Sequence, residues 1–319
     1  MINITQVSYF TFAGYFDTGR VTYLCFIVII ALYIFIIVAN VLLIVVICMN
    51  RSLHEPMYMF LCSLFVNELY GSTGLFPFLL IQILSDVHTV SAPLCFLQIF
   101  CGHSYASIEF SNLAFMSYDR YLAICCPLQY HTRMTIRKIA TFIALTWLYP
   151  FLAVSVLLSL SAPLQLCGNI IYKVYCHNYS IVKLACFDTT VNNIYGIVLT
   201  STLILLVILI LFSYLRILKV CFSGSKLTRQ KAISTCTPHL ASLINFSCGA
   251  VFETIQNRFD MGHIPNMLRI FLSLYWLTCQ PLLNPVLYGL NLTKIRVSCK
   301  NVIGKMHLST VCLKQTFNM

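Results

Sequence analysis

The chain has 319 residues, of which 59% are hydrophobic and only 9% are charged, and its formal net charge is +11. Because an ordinary soluble domain carries about 25% charged residues, this composition excludes a soluble enzyme, a nucleic-acid-binding protein and a disordered scaffold. The basic residues stand in short clusters between long apolar runs, which is the distribution of a polytopic membrane protein.

Seven apolar segments are each long enough to cross a bilayer, which takes about 20 helical residues. The first has no charged residue, whereas the second and third carry Glu68 and Glu109 in mid-span. The segments are residues 21–50, 57–84, 92–124, 139–161, 191–215, 232–256 and 270–290. The sequence therefore predicts an all-α membrane protein with an N-terminal segment over 1–20, a seven-transmembrane-helix bundle over 21–290 and a tail over 291–319.

The distribution of Lys and Arg predicts which face of the bundle meets the cytosol. Fifteen of the 20 Lys and Arg residues, including those of the C-terminal tail, lie on one side of the predicted bundle. The other side holds only Arg20, Lys173, Lys183, Arg258 and Arg269. The tail is therefore predicted to be cytoplasmic and the N-terminus extracellular.

The predicted outer face carries two kinds of modification site. Asn3-Ile4-Thr5 is a glycosylation sequon, and Asn178-Tyr179-Ser180 is a second one within a loop that could shield it. The outer face also meets an oxidising compartment, in which cysteines form disulfides. Four cysteines lie there, and three pairings are open to them: Cys95, Cys167, Cys176 and Cys186.

Several motifs stand at the cytoplasmic ends of the segments. Met116–Tyr121 (Met-Ser-Tyr-Asp-Arg-Tyr) closes the third, and Asn284–Tyr288 (Asn-Pro-Val-Leu-Tyr) ends the seventh, where the proline permits a kink. They are accompanied by Leu53–Tyr58, Ala123–Leu128 and Lys231–His239. Over residues 40–295 this set resembles the odorant receptors, a branch of the rhodopsin-like G-protein-coupled receptors.

The resemblance implies a multi-pass plasma-membrane receptor with a short amphipathic helix after the seventh span. A small odorant would bind among the outer helix halves, and the sixth helix would then swing outward to admit a G protein of the stimulatory olfactory type, which raises cyclic AMP. Neither catalysis nor a structural metal is implied. A ligand can drive such a change only through its different affinity for the two states.

The resemblance also implies roles for the motif residues. Arg120, within the Asp119-Arg120-Tyr121 motif, would be held by Asp119 at rest and would meet the G protein when active. Asn284, Pro285 and Tyr288 would lock the rearranged seventh helix. Of the three disulfide pairings, the resemblance selects Cys95–Cys176 with Cys167–Cys186.

Two departures from the family pattern stand out. Ser247 occupies a position in the sixth segment where Tyr is usual after Phe246, so a switching role for a Tyr hydroxyl at this depth is lost. Glu68 replaces the usual Asp, and the segment Asn67–Gly71 looks most like the fish branch of the family.

Glu68 and Glu109 are predicted to lie at one depth. Glu68 follows Pro56 by 12 residues and Glu109 precedes Asp119 by 10, which at about 1.5 Å per residue places them ~18 Å and ~15 Å above the cytoplasmic face. Two unpaired anions near the midplane are costly, so we expect them to share a sodium ion or a proton. The alternative is two separately protonated acids, each bonded to a neighbour.

Four residues are candidates for the ligand pocket. His103 lies about 12 Å below the outer lip, and Ser107 shares its face one turn later. Glu253 and Arg258 lie at the outer end of the sixth segment, where Arg suits a carboxylate and Glu an ammonium group. They favour a short-chain acid or an amino-acid-like ligand, although a solvated Arg258 paired with Glu253 is an equal alternative.

Two other functions compete with an odorant receptor. A rhodopsin-like receptor for an endogenous metabolite would carry the same motifs. A proton-coupled transporter would use Glu68 and Glu109 as a relay, although the sequence has no internal repeat of the kind that many transporters contain. Cyclic AMP production without substrate uptake distinguishes a receptor from a transporter.

Overall fold

The computed structural model describes residues 7–15, 20–223, 226–258 and 266–301. Within these ranges seven long helices form a bundle, as the sequence predicted. They are α1 (Arg20–Met49), α2 (Pro56–Ile83), α3 (Ala92–Cys125), α5 (Ile136–Ser161), α7 (Thr190–Ser223), α8 (Lys226–Arg258) and α9 (Asn266–Asn291). The bounds of α1, α2 and α3 agree with the predicted spans to within one residue, whereas α5 and α9 begin three and four residues earlier, and α7 and α8 extend further on the cytoplasmic side.

Shorter helices lie in the connections. They are α4 (Tyr130–Arg133) and α6 (Asn178–Val182), with single turns of 3₁₀ helix at Arg51–Leu53 and Pro127–Gln129. A further helix, α10, covers residues 293–301 and corresponds to the predicted short helix after the seventh span.

The surface of the bundle is suited to lipid. By length and apolar composition alone, α1, α2, α5 and α7 are each able to cross a membrane. On α7, the apolar side chains of Ile204, Leu205 and Ile208 are each 55% exposed. In water such a face would be unstable, whereas in hydrocarbon it costs nothing because the lipid is equally apolar.

Helix α3 is the central element of the bundle. It packs against α2, α5, α7 and α8, while α9 packs against α1, α2 and α8. Helix α2 begins with Pro56 at its first turn, where the missing N–H is not needed. Helix α5 is capped by Thr135, whose hydroxyl accepts the N–H of Lys138.

A small sheet that was not predicted lies at the outer end. Strand β1 (Tyr9–Phe12) lies between β2 (Thr89–Ser91), with which it is antiparallel, and β3 (Ile170–Ile171), with which it is parallel. Phe10 and Phe12 are buried under it. The sheet therefore attaches the N-terminal segment to the loop over residues 162–189, which we call the roof loop.

Both disulfides join the pairs that the resemblance selected, Cys95–Cys176 and Cys167–Cys186. Asn3 lies outside the described residues. Asn178 is only 8% exposed, so its sequon is shielded within the roof loop.

Candidate functional site

A cavity of ≈ 220 Å³ lies in the outer half of the bundle, under the roof loop. His103, Ser107 and Glu253, which the sequence placed in the ligand pocket, all line it. Most of the wall is apolar and includes Leu75, Ala106, Phe110, Leu157, Leu203 and Leu277. A concave, largely apolar space with a few convergent polar groups is the usual form of a small-molecule site.

The roof of this cavity is held in place by covalent and polar contacts. The Cys95–Cys176 disulfide joins it to the start of α3. One turn further along α3, Gln98 accepts the backbone N–H of Cys176 through its side-chain oxygen at 2.8 Å. The roof residues Tyr175–Tyr179 are therefore fixed directly over the cavity that they line.

Two imidazole rings meet at the cavity wall, those of His103 and His177, with centroids 5.0 Å apart. The carbonyl of Ile99 can only accept, so Nδ1 of His103 donates to it at 3.0 Å and the neutral ring keeps Nε2 as an acceptor. Nδ1 of His177 instead accepts the N–H of Tyr179. Burial, followed by the positive charge of Lys173, holds the pKa of His177 well below its usual value, so this ring is neutral.

Glu253 forms a buried ion pair with Lys173 of the roof loop. Tyr175 donates to the same carboxylate oxygen, Oε1, at 2.8 Å, and Ser273 of α9 donates to Oε2 at 3.0 Å. Burial, followed by the charge of Glu253, raises the pKa of Tyr175, which therefore remains a donor. The sequence indicated Arg258 as a partner of Glu253 and gave no sign of Lys173. The side chain of Arg258 lies outside the described part of the chain.

Glu68 and Glu109 lie side by side at one level, as the helical rise predicted. Nδ2 of Asn284 donates to Oε1 of both carboxylates, at 3.0 Å for Glu109. The remaining carboxylate oxygens accept from Tyr105 at 3.0 Å (Glu68) and from Asn67 at 3.1 Å (Glu109). All the acid and amide side chains of this group are 0% exposed.

At the cytoplasmic end, Asp119 and Arg120 form the ion pair that the resemblance implied. Tyr130 of α4 donates to the other oxygen of Asp119 at 2.8 Å. Burial, followed by the charge of Asp119, raises the pKa of Tyr130, so the phenol keeps its proton. This partner was not anticipated, because nothing in the local sequence links a loop tyrosine to the motif.

Tyr288 of α9, the seventh of the long helices, is fully buried and lies against α8, the sixth. Its hydroxyl lies 3.2 Å from Nδ1 of His239, and the two rings are 5.1 Å apart. Tyr121 packs against two clusters of buried side chains, one of which contains Cys236 of α8 and the other Tyr288 of α9. The sequence motifs of the third, sixth and seventh helices therefore meet in one region of the bundle.

Comparison with known proteins identifies the family to which this arrangement belongs. The sequence pattern that defines the family described as olfactory receptor matches residues 29–306. Human olfactory receptor 11A1 is 33% identical over 313 residues, which cover 97% of this chain and 96% of that protein. The chain belongs to the olfactory receptor family. Human olfactory receptor 52D1 is 37% identical over 83% of this chain and 85% of its own length, and mouse olfactory receptor 4B13 is 32% identical over 93% and 96%.

This olfactory receptor is therefore a G-protein-coupled receptor with seven transmembrane helices, and it is a multi-pass protein of the plasma membrane. Members of the family are receptors and not enzymes. The resemblance deduced from the motifs is confirmed at the level of the family. The likeness to the fish branch stays a prediction.

Proposed function

We propose that this receptor binds a small odorant in the outer cavity and activates a G protein of the stimulatory olfactory type, which raises cyclic AMP. The observation that carries the proposal is the apolar cavity of ≈ 220 Å³ beneath a roof fixed by a disulfide. The cavity lies between helices α3 and α8, so a ligand in it contacts the central helix and the helix whose movement the family uses for activation.

The size of the cavity limits the ligand. An apolar cavity of about 150 Å³ holds benzene, which has six non-hydrogen atoms. In proportion, ≈ 220 Å³ accommodates about nine non-hydrogen atoms. The ligand is therefore a volatile-sized molecule and not a peptide or a lipid.

His103 and Ser107 supply the first polar contact in this proposal. Nε2 of His103 accepts a hydrogen bond from a ligand O–H or N–H group. Glu253 and Arg258 supply a second, for an acidic or amino-acid-like ligand, with Arg258 holding a carboxylate. If Arg258→Ala leaves the responses to acidic odorants unchanged, the assignment of Arg258 is wrong.

A broad odorant screen in cells that carry a cyclic-AMP reporter tests the function. His103→Phe keeps a ring but removes the hydrogen-bond acceptor. We expect it to lower the potency of hydroxylated odorants by about 3- to 10-fold, as the loss of one hydrogen bond predicts. Odorants of the same shape without an O–H group provide the control, since their potency should not change. Uptake of a substrate or a current, without cyclic AMP, would favour the proton-coupled transporter instead. Activation only by an endogenous metabolite would favour the non-olfactory receptor.

We also propose that the Glu68–Glu109 pair holds a sodium ion or shares a proton in the resting state. Two buried carboxylates within reach of one amide need a positive charge between them. Among the described residues, Oδ1 of Asn67 and Oδ1 of Asn284 have no hydrogen-bond partner, and hard cations prefer such oxygen ligands. Glu109→Gln should abolish any sodium dependence of agonist affinity, and a titration identical to that of the wild type would refute the sodium site.

The cytoplasmic motif completes the proposed switch. At rest Arg120 is neutralised by Asp119, which in turn accepts from Tyr130. In the active state we propose that Arg120 leaves Asp119 and meets the G protein, while Asn284, Pro285 and Tyr288 hold the seventh helix in its new position.

A further inference from the structure

We propose that Glu253 is the binding site for the ammonium group of an organic amine, and that the ligand enters by replacing Lys173 as the counter-ion of Glu253. This inference rests on the proposed odorant function of the cavity and names the ligand class. It also assigns to Lys173 a role as the resident cation that keeps the site closed when no ligand is bound.

The position of the ion pair favours an exchange of cations. Glu253 and Tyr175 belong to the cavity wall, while Lys173 comes from the roof loop just after β3. The side chains of Lys173 and Glu253 are 9% and 4% exposed, so the pair is buried at the boundary between cavity and roof. A ligand inside the cavity and a lysine in the roof thus have access to the same carboxylate.

The charge balance selects an ammonium group over other ligand groups. A carboxylate group placed beside Glu253 itself would face its negative charge, and like charges at close range repel, so the acid group that we assign to Arg258 does not bind at this position. A neutral ligand that displaced Lys173 would remove its positive charge from a buried carboxylate, and breaking a buried ion pair in this way typically costs several kcal/mol. An ammonium group replaces one cation with another, and it can occupy the position of the Lys173 ammonium beside Tyr175 and Ser273.

The displaced lysine can become hydrated at the outer surface. Its side chain is already 9% exposed in the ion pair, and a lysine side chain readily extends its charged end to water while its stem stays on apolar surface. The cost of leaving Glu253 is therefore offset by hydration of the released ammonium group.

The exchange also affects the two elements that the pair joins. The Lys173–Glu253 ion pair links the roof loop to α8 across 80 residues of sequence. An amine binds only the state in which Lys173 has left, so it shifts the receptor towards the state in which Lys173 no longer ties the roof to α8, while the Tyr175–Glu253 bond remains. Removal of Lys173 should therefore favour both amine binding and basal activity.

Three probes of equal chain length test the ligand class: n-hexylammonium chloride, 1-hexanol and sodium hexanoate. In cells with a cyclic-AMP reporter, Lys173→Met should lower the half-maximal concentration of n-hexylammonium at least tenfold and raise basal cyclic AMP, while 1-hexanol should change less than threefold. Lys183→Met is the matched control, because Lys183 is an exposed lysine of the same loop. Unchanged amine potency in Lys173→Met would overturn the proposal, and so would a loss of hexanoate potency, since it would show that Lys173 binds acids.

A binding measurement keeps the test independent of signalling. Glu253→Gln alone removes one member of a buried ion pair and could fail to fold, so the double variant Lys173→Met/Glu253→Gln, which removes both charges, is used. n-Hexylammonium should raise the unfolding temperature of the purified full-length wild type and should not raise that of the double variant. No stabilisation of the wild type, or equal stabilisation of both, would refute the site. Stabilisation without any cyclic-AMP response would instead refute the proposed coupling and leave the amine site standing.

Discussion

Gly71, in the middle of α2, packs directly against the ring of Tyr105 in α3. A Cβ atom at position 71 would lie 2.6 Å from Cγ and 2.8 Å from Cε2 of that ring. Tyr105 is 1% exposed, and its hydroxyl donates to Glu68. The ring lines the cavity and has open space there to move into, so we expect Gly71→Ala to displace it and break the bond to Glu68.

The magnitude follows from three contributions. Overpacking of this kind costs about 1–3 kcal/mol, and the loss of a hydrogen bond to a buried carboxylate costs about 1.5–3 kcal/mol. Alanine has a better helix propensity than glycine, and this offsets the loss by about 1 kcal/mol. The net loss of about 1.5–5 kcal/mol lowers the unfolding temperature by about 3–10 °C, at about 2 °C per kcal/mol for a chain of this size.

Thermal unfolding of the purified full-length receptor in detergent measures this change. Gly102→Ala in α3 is the matched control, because a Cβ atom there meets nothing within 4 Å and the variant should be at least as stable as the wild type. Tyr105→Phe separates the loss of the hydroxyl from the displacement of the ring. If Gly71→Ala unfolds at the same temperature as Gly102→Ala, the close packing of Gly71 against Tyr105 is refuted.

Two further predictions concern the roof. Because the pKa of His177 is held low by burial and by Lys173 and His103, the unfolded chain binds a proton that the folded chain does not, and stability falls as the pH drops below about 6.5. His177→Asn, which offers another acceptor to Tyr179, should unfold with less dependence on pH below about 6.5, and an unchanged pH profile would contradict this explanation. In Gly14→Ala the new Cβ atom would lie 2.6 Å from the carbonyl carbon of Lys173. We therefore expect β1 to separate from β3 and the backbone amides of β1 to exchange hydrogen faster. An unchanged exchange rate would show that this close contact does not exist.

The bundle itself could be predicted from the sequence because bilayer thickness fixes the length of each apolar segment. The predicted start and end of the second and third segments differ from those of α2 and α3 by at most one residue. The helical rise likewise placed Glu68 and Glu109 at one level, because depth along a straight helix depends only on residue count. These predictions needed no knowledge of which helices are neighbours.

The partners of the buried charges could not be predicted, because they depend on how helices rotate and on how loops fold. Asn284 reaches both acids from α9, in which Pro281 and Pro285 interrupt the helical hydrogen bonds and change the direction of the side chains. Lys173 belongs to a loop without hydrophobic periodicity, so nothing in the sequence directed it towards Glu253. A signal that could have been used is the need of a buried Glu253 for a cation from the nearest outer loop.

Tyr105 explains why the ligand cavity and the acid pair should not behave as independent sites. Its ring lines the cavity and packs at 6.0 Å from Phe246 of α8, while its hydroxyl bonds Glu68. A displacement of this ring, by a ligand or by a substitution at Gly71, therefore changes the hydrogen bonding of the carboxylate pair. Gly71→Ala should accordingly reduce odorant potency and any sodium dependence of affinity together, whereas Gly102→Ala, which adds its methyl group to the same cavity without touching Tyr105, should affect odorant potency alone. A variant at Gly71 that changed one property and not the other would show that the two sites act separately.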